Sequence, residues 1–208
     1  MANLKACIKV GVLQYNMDSY IIAAIIGAAA TICGVVLKTY LSGHWQKGKL
    51  KEHTVQNENV YRALEYARGK IDCDRVVVYE FHNGDVYYSG SSQQKFSNTY
   101  EVLSDGVSSE LKNQQNLRVS SFNRFIKPLI DEEEYGFWDI DQVSDIVTKT
   151  FFEDQGTKST YCVPIELLTG KIIGILGIDY VKGGKKLTPS QKNFIKNQSC
   201  IIAGYLKA

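Results

Sequence analysis

The sequence predicts an α+β chain, and three stretches carry that prediction. From Tyr20 to Leu37 an uncharged apolar run is long enough to cross a bilayer as one helix. Arg75-Val-Val-Val-Tyr-Glu-Phe81 is apolar and β-branched, as a buried central strand is, and it empties into the polar tetrad His82-Asn83-Gly84-Asp85. Thr160 to Tyr180 alternates, turns at Thr169-Gly170 and returns as a hairpin, with a capped helix after it. The organisation that follows is an N-terminal tail (1–18), a single transmembrane helix (19–41), a basic juxtamembrane linker (42–54) and a folded domain (55–208).

With 208 residues, 44% hydrophobic and 22% charged, the chain can build one real core. A net charge of +2 is too weak for a nucleic-acid binder, which needs a dense basic face to displace counterions. The five cysteines, Cys7, Cys33, Cys73, Cys162 and Cys200, are odd in number and widely spread, unlike a disulfide framework or a zinc site. They read as reduced thiols, which favours a cytosolic place for the folded part. No metal site is expected, because His44, His53 and His82 have no helical ligand spacing.

In the apolar run, a membrane span competes with a cleaved signal peptide and a buried soluble helix. The lead-in is too long for a signal peptide, and apolar residues continue past Ala28-Ala29-Ala30. Ala23, Gly27, Ala30 and Gly34 put small side chains on one face, a pattern that lets membrane helices approach closely and points to a homo-oligomer. Lys38, Lys47, Lys49 and Lys51 follow the span and only Lys5 and Lys9 precede it, so the positive-inside rule places the domain in the cytoplasm, below the inner membrane. Gly43 and Gly48 are expected to break the helix.

His53 to Ile71 reads as an amphipathic helix with Val60, Leu64, Ala67 and Ile71 on its apolar face. After the strand at Arg75–Phe81 comes a polar excursion, 83–97, containing Tyr87-Tyr88-Ser89-Gly90-Ser91-Ser92, then a second strand at 98–103 that turns at Asp105-Gly106. A short apolar segment around Phe122, Phe125 and Ile126 is expected to stop at Pro128, and Asp131-Glu-Glu-Glu134 to be a solvated turn. Tyr135 to Ile140 contains a short strand, and Val143, Ile146, Val147 and Phe151 mark one face of a helix ending near Gly156. In the hairpin, Gly174 and Gly177 announce close approach by either a backbone or a ligand. Thr188, Pro189 and Gln191 make a capping box for the last helix, whose side Phe194, Gln198, Ile201 and Tyr205 is widened by Ile195, Ile202 and Leu206.

From Gln155 onward, the order Gly-Thr-Lys-Ser-Thr-Tyr-Cys-Val-Pro-Ile, a turn, Gly170-Lys-Ile-Ile-Gly-Ile-Leu-Gly-Ile178 and Leu187-Thr-Pro-Ser resembles the C-terminal half of GAF domains, the small-molecule sensor fold related to PAS. That resemblance covers 55–206 and implies a central antiparallel sheet, terminal helices packed on one face and a ligand pocket on the other. Its ligands include cyclic nucleotides, haem and bilins; no cyclic-nucleotide signature or chromophore cysteine is assigned here, so the cofactor stays unknown. The layout also resembles the T-even phage holin, a spanning helix followed by an extracytoplasmic α/β domain. Phe81-His-Asn-Gly84 followed by Thr99-Tyr-Glu-Val102 is similar to uncharacterised phage proteins, which implies a phage or prophage origin.

Cys73, Cys162 and His82 can be imagined as nucleophile and base, but Cys162 sits in a strand and Cys73 precedes one, as packing thiols do, and no phosphate loop, serine elbow or carboxylate pair accompanies them, so no enzyme is expected. The binding reading uses His82, Asn83, Tyr87, Tyr88, Tyr100 and Glu101, which mix ring faces with hydrogen-bonding groups at the mouth of the central strand. Three functions stay open: a membrane-anchored sensing domain, a holin-like lysis protein and a scaffold without ligand. The partners implied are the lipid bilayer, a second copy of the chain, and a small molecule or regulatory protein.

Overall fold

A computed structural model describes the backbone of residues 2–87 and 89–206, with side chains over 20–40, 48–87 and 89–206. It divides into two units, Met1–Thr54 and Val55–Ala208. Helix α1, Ala2–Ile71, belongs to both and runs through Gly43 and Gly48 without the expected break. A lone glycine costs a helix only about 1 kcal/mol, and no proline follows either one.

The second unit is a sheet between two layers of helix. Its strands are β1 (Arg75–Val86), β2 (Ser92–Leu103), β3 (Leu117–Arg118), β4 (Tyr135–Phe137), β5 (Ser159–Glu166) and β6 (Ile172–Tyr180). They lie in the order β3-β2-β1-β6-β5-β4, and every neighbouring pair is antiparallel. The period of two in β1 divides the core. Val76 and Val78 face one side, where Val60, Leu64 and Ile71 of α1 meet Ile195, Ile202 and Ala203 of helix α4 (Pro189–Leu206). The terminal helices therefore share one face of an α+β fold. Val77 and Tyr79 face the other side, roofed by a 3₁₀ turn at Val119–Phe122, helix α2 (Asn123–Asp131) and helix α3 (Ile146–Asp154). Edge-to-face rings fill much of that layer, with Phe122–Phe151 centroids 5.1 Å apart and Phe125–Phe152 5.7 Å.

Several elements depart from expectation, each for a local reason. Much of the polar excursion after Phe81 is strand: His82 pairs with Lys95 and Asn83 with Gln94, so β1 and β2 continue as a hairpin arm as far as Val86 opposite Ser92. Backbone pairing stabilises a ladder whatever the polarity of its side chains. Helix α2 continues over Pro128, because burial of Phe125, Ile126 and Leu129 outweighs the lost hydrogen bond. In α3 the buried residues are Thr148 and Phe152, while Ile146 and Val147 are exposed. Asp145 caps that helix at the Thr148 N–H, and this start sets which face turns inward. Likewise α4 buries Ile195, Gln198, Ser199 and Ile202 rather than Ile201. Its capping box forms as read: Gln191 Oε1 accepts from the Thr188 N–H at 2.9 Å, and the Gln191 N–H donates to Thr188 Oγ1 at 3.3 Å.

Two charged clusters fasten the layers. Arg75 and Asp179, each 1% exposed, face one another across β1 and β6, with Nε donating to Oδ2 at 2.9 Å. Arg75 Nη2 also donates to Thr157 Oγ1 (2.8 Å) and Gln155 Oε1 (3.1 Å), and Thr160 Oγ1 donates to Asp179 Oδ1 at 2.6 Å. At the β4 edge, Glu134 accepts from Lys192 Nζ (2.7 Å) and Tyr161 Oη (2.7 Å), with Lys196 Nζ at 3.3 Å. Burial raises the Glu134 carboxyl, but the hydrogen bonds from Lys192 and Tyr161 outweigh it and bring it from 4.5 down to about 2.

Arg75→Ala leaves Asp179 buried and unpaired and is expected to cost about 3–5 kcal/mol in urea unfolding; Arg75→Met with Asp179→Leu is expected to cost less than either single change. Glu134 is held low in the folded state, so its contribution is present above 4.5 and is lost as pH falls through about 2. The melting-temperature gap between the wild type and Glu134→Gln is therefore expected to shrink across that window, and a gap that stays constant down to about pH 2 contradicts the assignment.

Candidate functional site

The sheet face opposite the terminal helices is not completely filled. Between β1, β2, the β5–β6 hairpin and α2 lies an open cavity of about 320 Å³. Its floor is Phe81, Pro164, Ile172 and Ile175, and Val119, Ile126, Leu129 and Ile130 close it from the roof. Strand alternation places the floor: Tyr161, Val163 and Ile165 turn toward the terminal helices, so Pro164 turns the other way. The polar side chain in the lining is Gln94, whose Nε2 donates to Asn83 Oδ1 and Ser92 Oγ, both at 3.2 Å. Such a lining suits apolar surface, with one amide at its edge.

The five described residues of the six anticipated as a site, His82, Asn83, Tyr87, Tyr100 and Glu101, do not converge. Tyr100 turns toward α1, donates to Asn57 Oδ1 at 2.7 Å and meets the Tyr61 ring edge-on at 5.4 Å. Glu101 instead accepts from Ser109 Oγ and the Glu110 N–H, tying down the loop after β2. His82 Nε2 lies 2.9 Å from Ser97 Oγ, and Tyr87 sits exposed at the hairpin tip. Tyr88 lies outside the described residues. Of the five described, Asn83 touches the cavity wall, through Gln94. Adjacent positions on a strand point to opposite faces, so Tyr100 and Glu101 cannot both line one pocket. The lining that sequence reasoning missed comes from Val119, Ile126, Leu129 and Ile130; their helical spacing was visible, but which sheet face they roof was not.

The glycines of β6 are explained by close approach of the neighbouring strand, backbone at Gly174 and a side chain at Gly177. A Cβ on Gly174 would lie 2.3 Å from the Tyr79 carbonyl oxygen, and one on Gly177 2.8 Å from Val77 Cγ1, both on β1. The thiols stand apart from the cavity. Cys162 is buried in the sheet and burial pushes its thiol up, with the Asp179 charge adding to the shift. Burial likewise pushes Cys73 up to about 12. Cys33 and Cys200 are exposed on α1 and α4, and the Cys7 side chain lies outside those described. The described thiols therefore do not fit a bilin held through sulfur in this cavity.

With this geometry, the chain matches the GAF domain family over residues 57–200 and belongs to it. GAF domains are regulatory, ligand-binding sensor modules. Similar solved structures include the blue-light absorbing form of the PixJ GAF domain of Thermosynechococcus elongatus, at 14% identity and TM-score 0.61, covering 76% of this chain and 88% of that one. The photoproduct state of GAF3 from Slr1393 of Synechocystis is similar at 14% identity and TM-score 0.56, covering 73% and 94%. A GAF domain/HD domain protein from Geobacter sulfurreducens is similar at 11% identity and TM-score 0.54, covering 73% and 92%. At these identities the likeness is one of fold. No curated protein matches the chain significantly.

Proposed function

We propose that the chain is a membrane-anchored sensing domain that binds a compact, largely apolar small molecule and has no catalytic activity of its own. The observation that carries this reading is the α2-roofed cavity, on the face opposite the terminal helices in a member of the GAF family. Its volume of about 320 Å³ is at the lower end of small-molecule sites, which run from roughly 300 to 1,000 Å³. A far-red absorbing relative by fold, JSC1_58120g3, holds biliverdin IXa. Four linked rings exceed the cavity here, so the ligand is a smaller molecule, oriented by Gln94.

The anchor in this reading is Tyr20–Tyr40, a helical stretch of 21 residues with mean hydropathy 2.4 and no part buried by the protein. Length and composition support a span, and so does Thr31, whose hydroxyl donates to the Gly27 carbonyl at 2.8 Å and needs no water. Self-association through Ala23, Gly27, Ala30 and Gly34 belongs to the same proposal; the stripe is exposed, and added Cβ atoms at Gly27 and Gly34 would meet nothing within 4 Å. So does a cytoplasmic domain, on the lysine balance around the span. The absence of catalysis is proposed because Cys73 and Cys162, the thiols nearest to a nucleophile, are buried with raised pKa.

Val119→Trp fills the cavity from its rim. Compounds that raise the wild-type melting temperature in a metabolite panel are expected to lose that effect in this variant, since saturation at 100 times Kd is worth about 2.7 kcal/mol. No stabilising compound, or equal stabilisation of the variant, contradicts the site. C-terminal fusions test the anchor: fluorescence of green fluorescent protein without alkaline phosphatase activity is expected, and the reverse favours the holin-like arrangement.

A further inference from the structure

A second cleft, of about 340 Å³, opens along β4, the edge strand at the far end of the sheet from β3. It is independent of the apolar cavity and shares no lining residue with it. Three aromatic rings in its wall each carry a lysine ammonium. Lys186 Nζ lies 4.5 Å from the Trp138 ring centroid, Lys192 Nζ 4.7 Å from that of Tyr161, and Lys185 Nζ 5.3 Å from that of Tyr180. Such contacts hold an ammonium in place without neutralising it.

The charges in the cleft are unevenly compensated. Glu134 is fully occupied, with one oxygen on Lys192 and the other on Tyr161 and Lys196. Glu132 also lines the cleft and is exposed. Lys185 donates to the Ile71 carbonyl at 3.4 Å, which leaves its charge in place, and is 3.9 Å from Asp72, a carboxylate 97% exposed and therefore well screened. Lys186 has no carboxylate within ion-pair distance among the described residues. Trp138, half exposed, is not sealed by its neighbours, although a tryptophan is expensive to leave in water.

We propose that this cleft binds a small aromatic anion, its ring against Trp138 and its phosphate or carboxylate between Lys185 and Lys186. The volume takes a single ring system with one anionic group, near the lower end of the roughly 300–1,000 Å³ of small-molecule sites. The ring contributes stacking and the lysines contribute charge-assisted hydrogen bonds, so both parts are needed for affinity.

The chain holds two tryptophans, so Trp45→Phe leaves Trp138 as the sole reporter in the full-length protein. Phenyl phosphate is expected to quench its fluorescence saturably, with inorganic phosphate and benzyl alcohol each weaker by at least about tenfold. Lys186→Glu, a change at an exposed side chain, is expected to raise the phenyl phosphate dissociation constant at least about tenfold, whereas Lys112→Glu on a distant loop leaves it unchanged. Quenching that never saturates, or that Lys186→Glu leaves intact, overturns the proposal, and inorganic phosphate binding as tightly as phenyl phosphate overturns the role of Trp138.

Discussion

The Arg75–Asp179 pair is the constraint around which the domain is arranged. A guanidinium and a carboxylate without solvent access are costly unless paired and hydrogen-bonded; Thr157 and Gln155 take up Arg75 Nη2 and Thr160 takes up Asp179 Oδ1, while Arg75 Nη1 has no partner among the described residues. Those partners come from different places. Arg75 opens β1, Asp179 lies near the end of β6, Thr160 is in β5, and Gln155 and Thr157 follow α3. Satisfying one buried charge therefore fixes the register of three central strands and brings the end of α3 against them. The cavity inherits part of its floor from that register, since the ladder that sets Arg75 opposite Asp179 also sets Ile175 opposite Tyr79, and Phe81 follows its last pair, Glu80 with Gly174.

Much of this fold was legible because its signals are local. The hairpin of β5 and β6 alternates, the Thr188 capping box has its three residues in place, and Val60, Leu64, Ala67 and Ile71 repeat at helical spacing and are all buried. The site was less legible because it depends on which elements face each other. Polar residues around His82 suggest a loop, yet cross-strand pairing with Lys95 and Gln94 makes them strand. Pro128 reads as a stop, yet burial of Phe125 and Leu129 carries the helix past it, and that helix supplies the roof. Arg75 and Asp179 stand 104 residues apart, and nothing in either neighbourhood announces the other.

The two faces of the sheet do different work. One is closed by α1 and α4 and packed with aliphatic side chains; the other is closed by shorter elements and keeps a cavity beside its ring cluster. Strand β1 is the wall between them, with Val76 and Val78 against the helices and Val77 and Tyr79 on the cavity layer. Tyr79 adds a polar fastening there, its hydroxyl donating to Gln114 Oε1 at 2.8 Å. A ligand under α2 would press on the same strand that the terminal helix packs against. The layout likeness to phage holins adds nothing to this arrangement.

The claim on which the functional account rests is that the space under α2 accepts a compact apolar guest. Apolar cavities of this kind take up xenon, so the direct measurement is isoleucine-methyl NMR of the full-length chain under xenon pressure. The account predicts shifts centred on Ile126, Ile130, Ile172 and Ile175, which line the cavity, with Ile178, Ile195 and Ile202 on the other face unmoved. Unmoved lining methyls, or shifts spread equally over both faces, would contradict it.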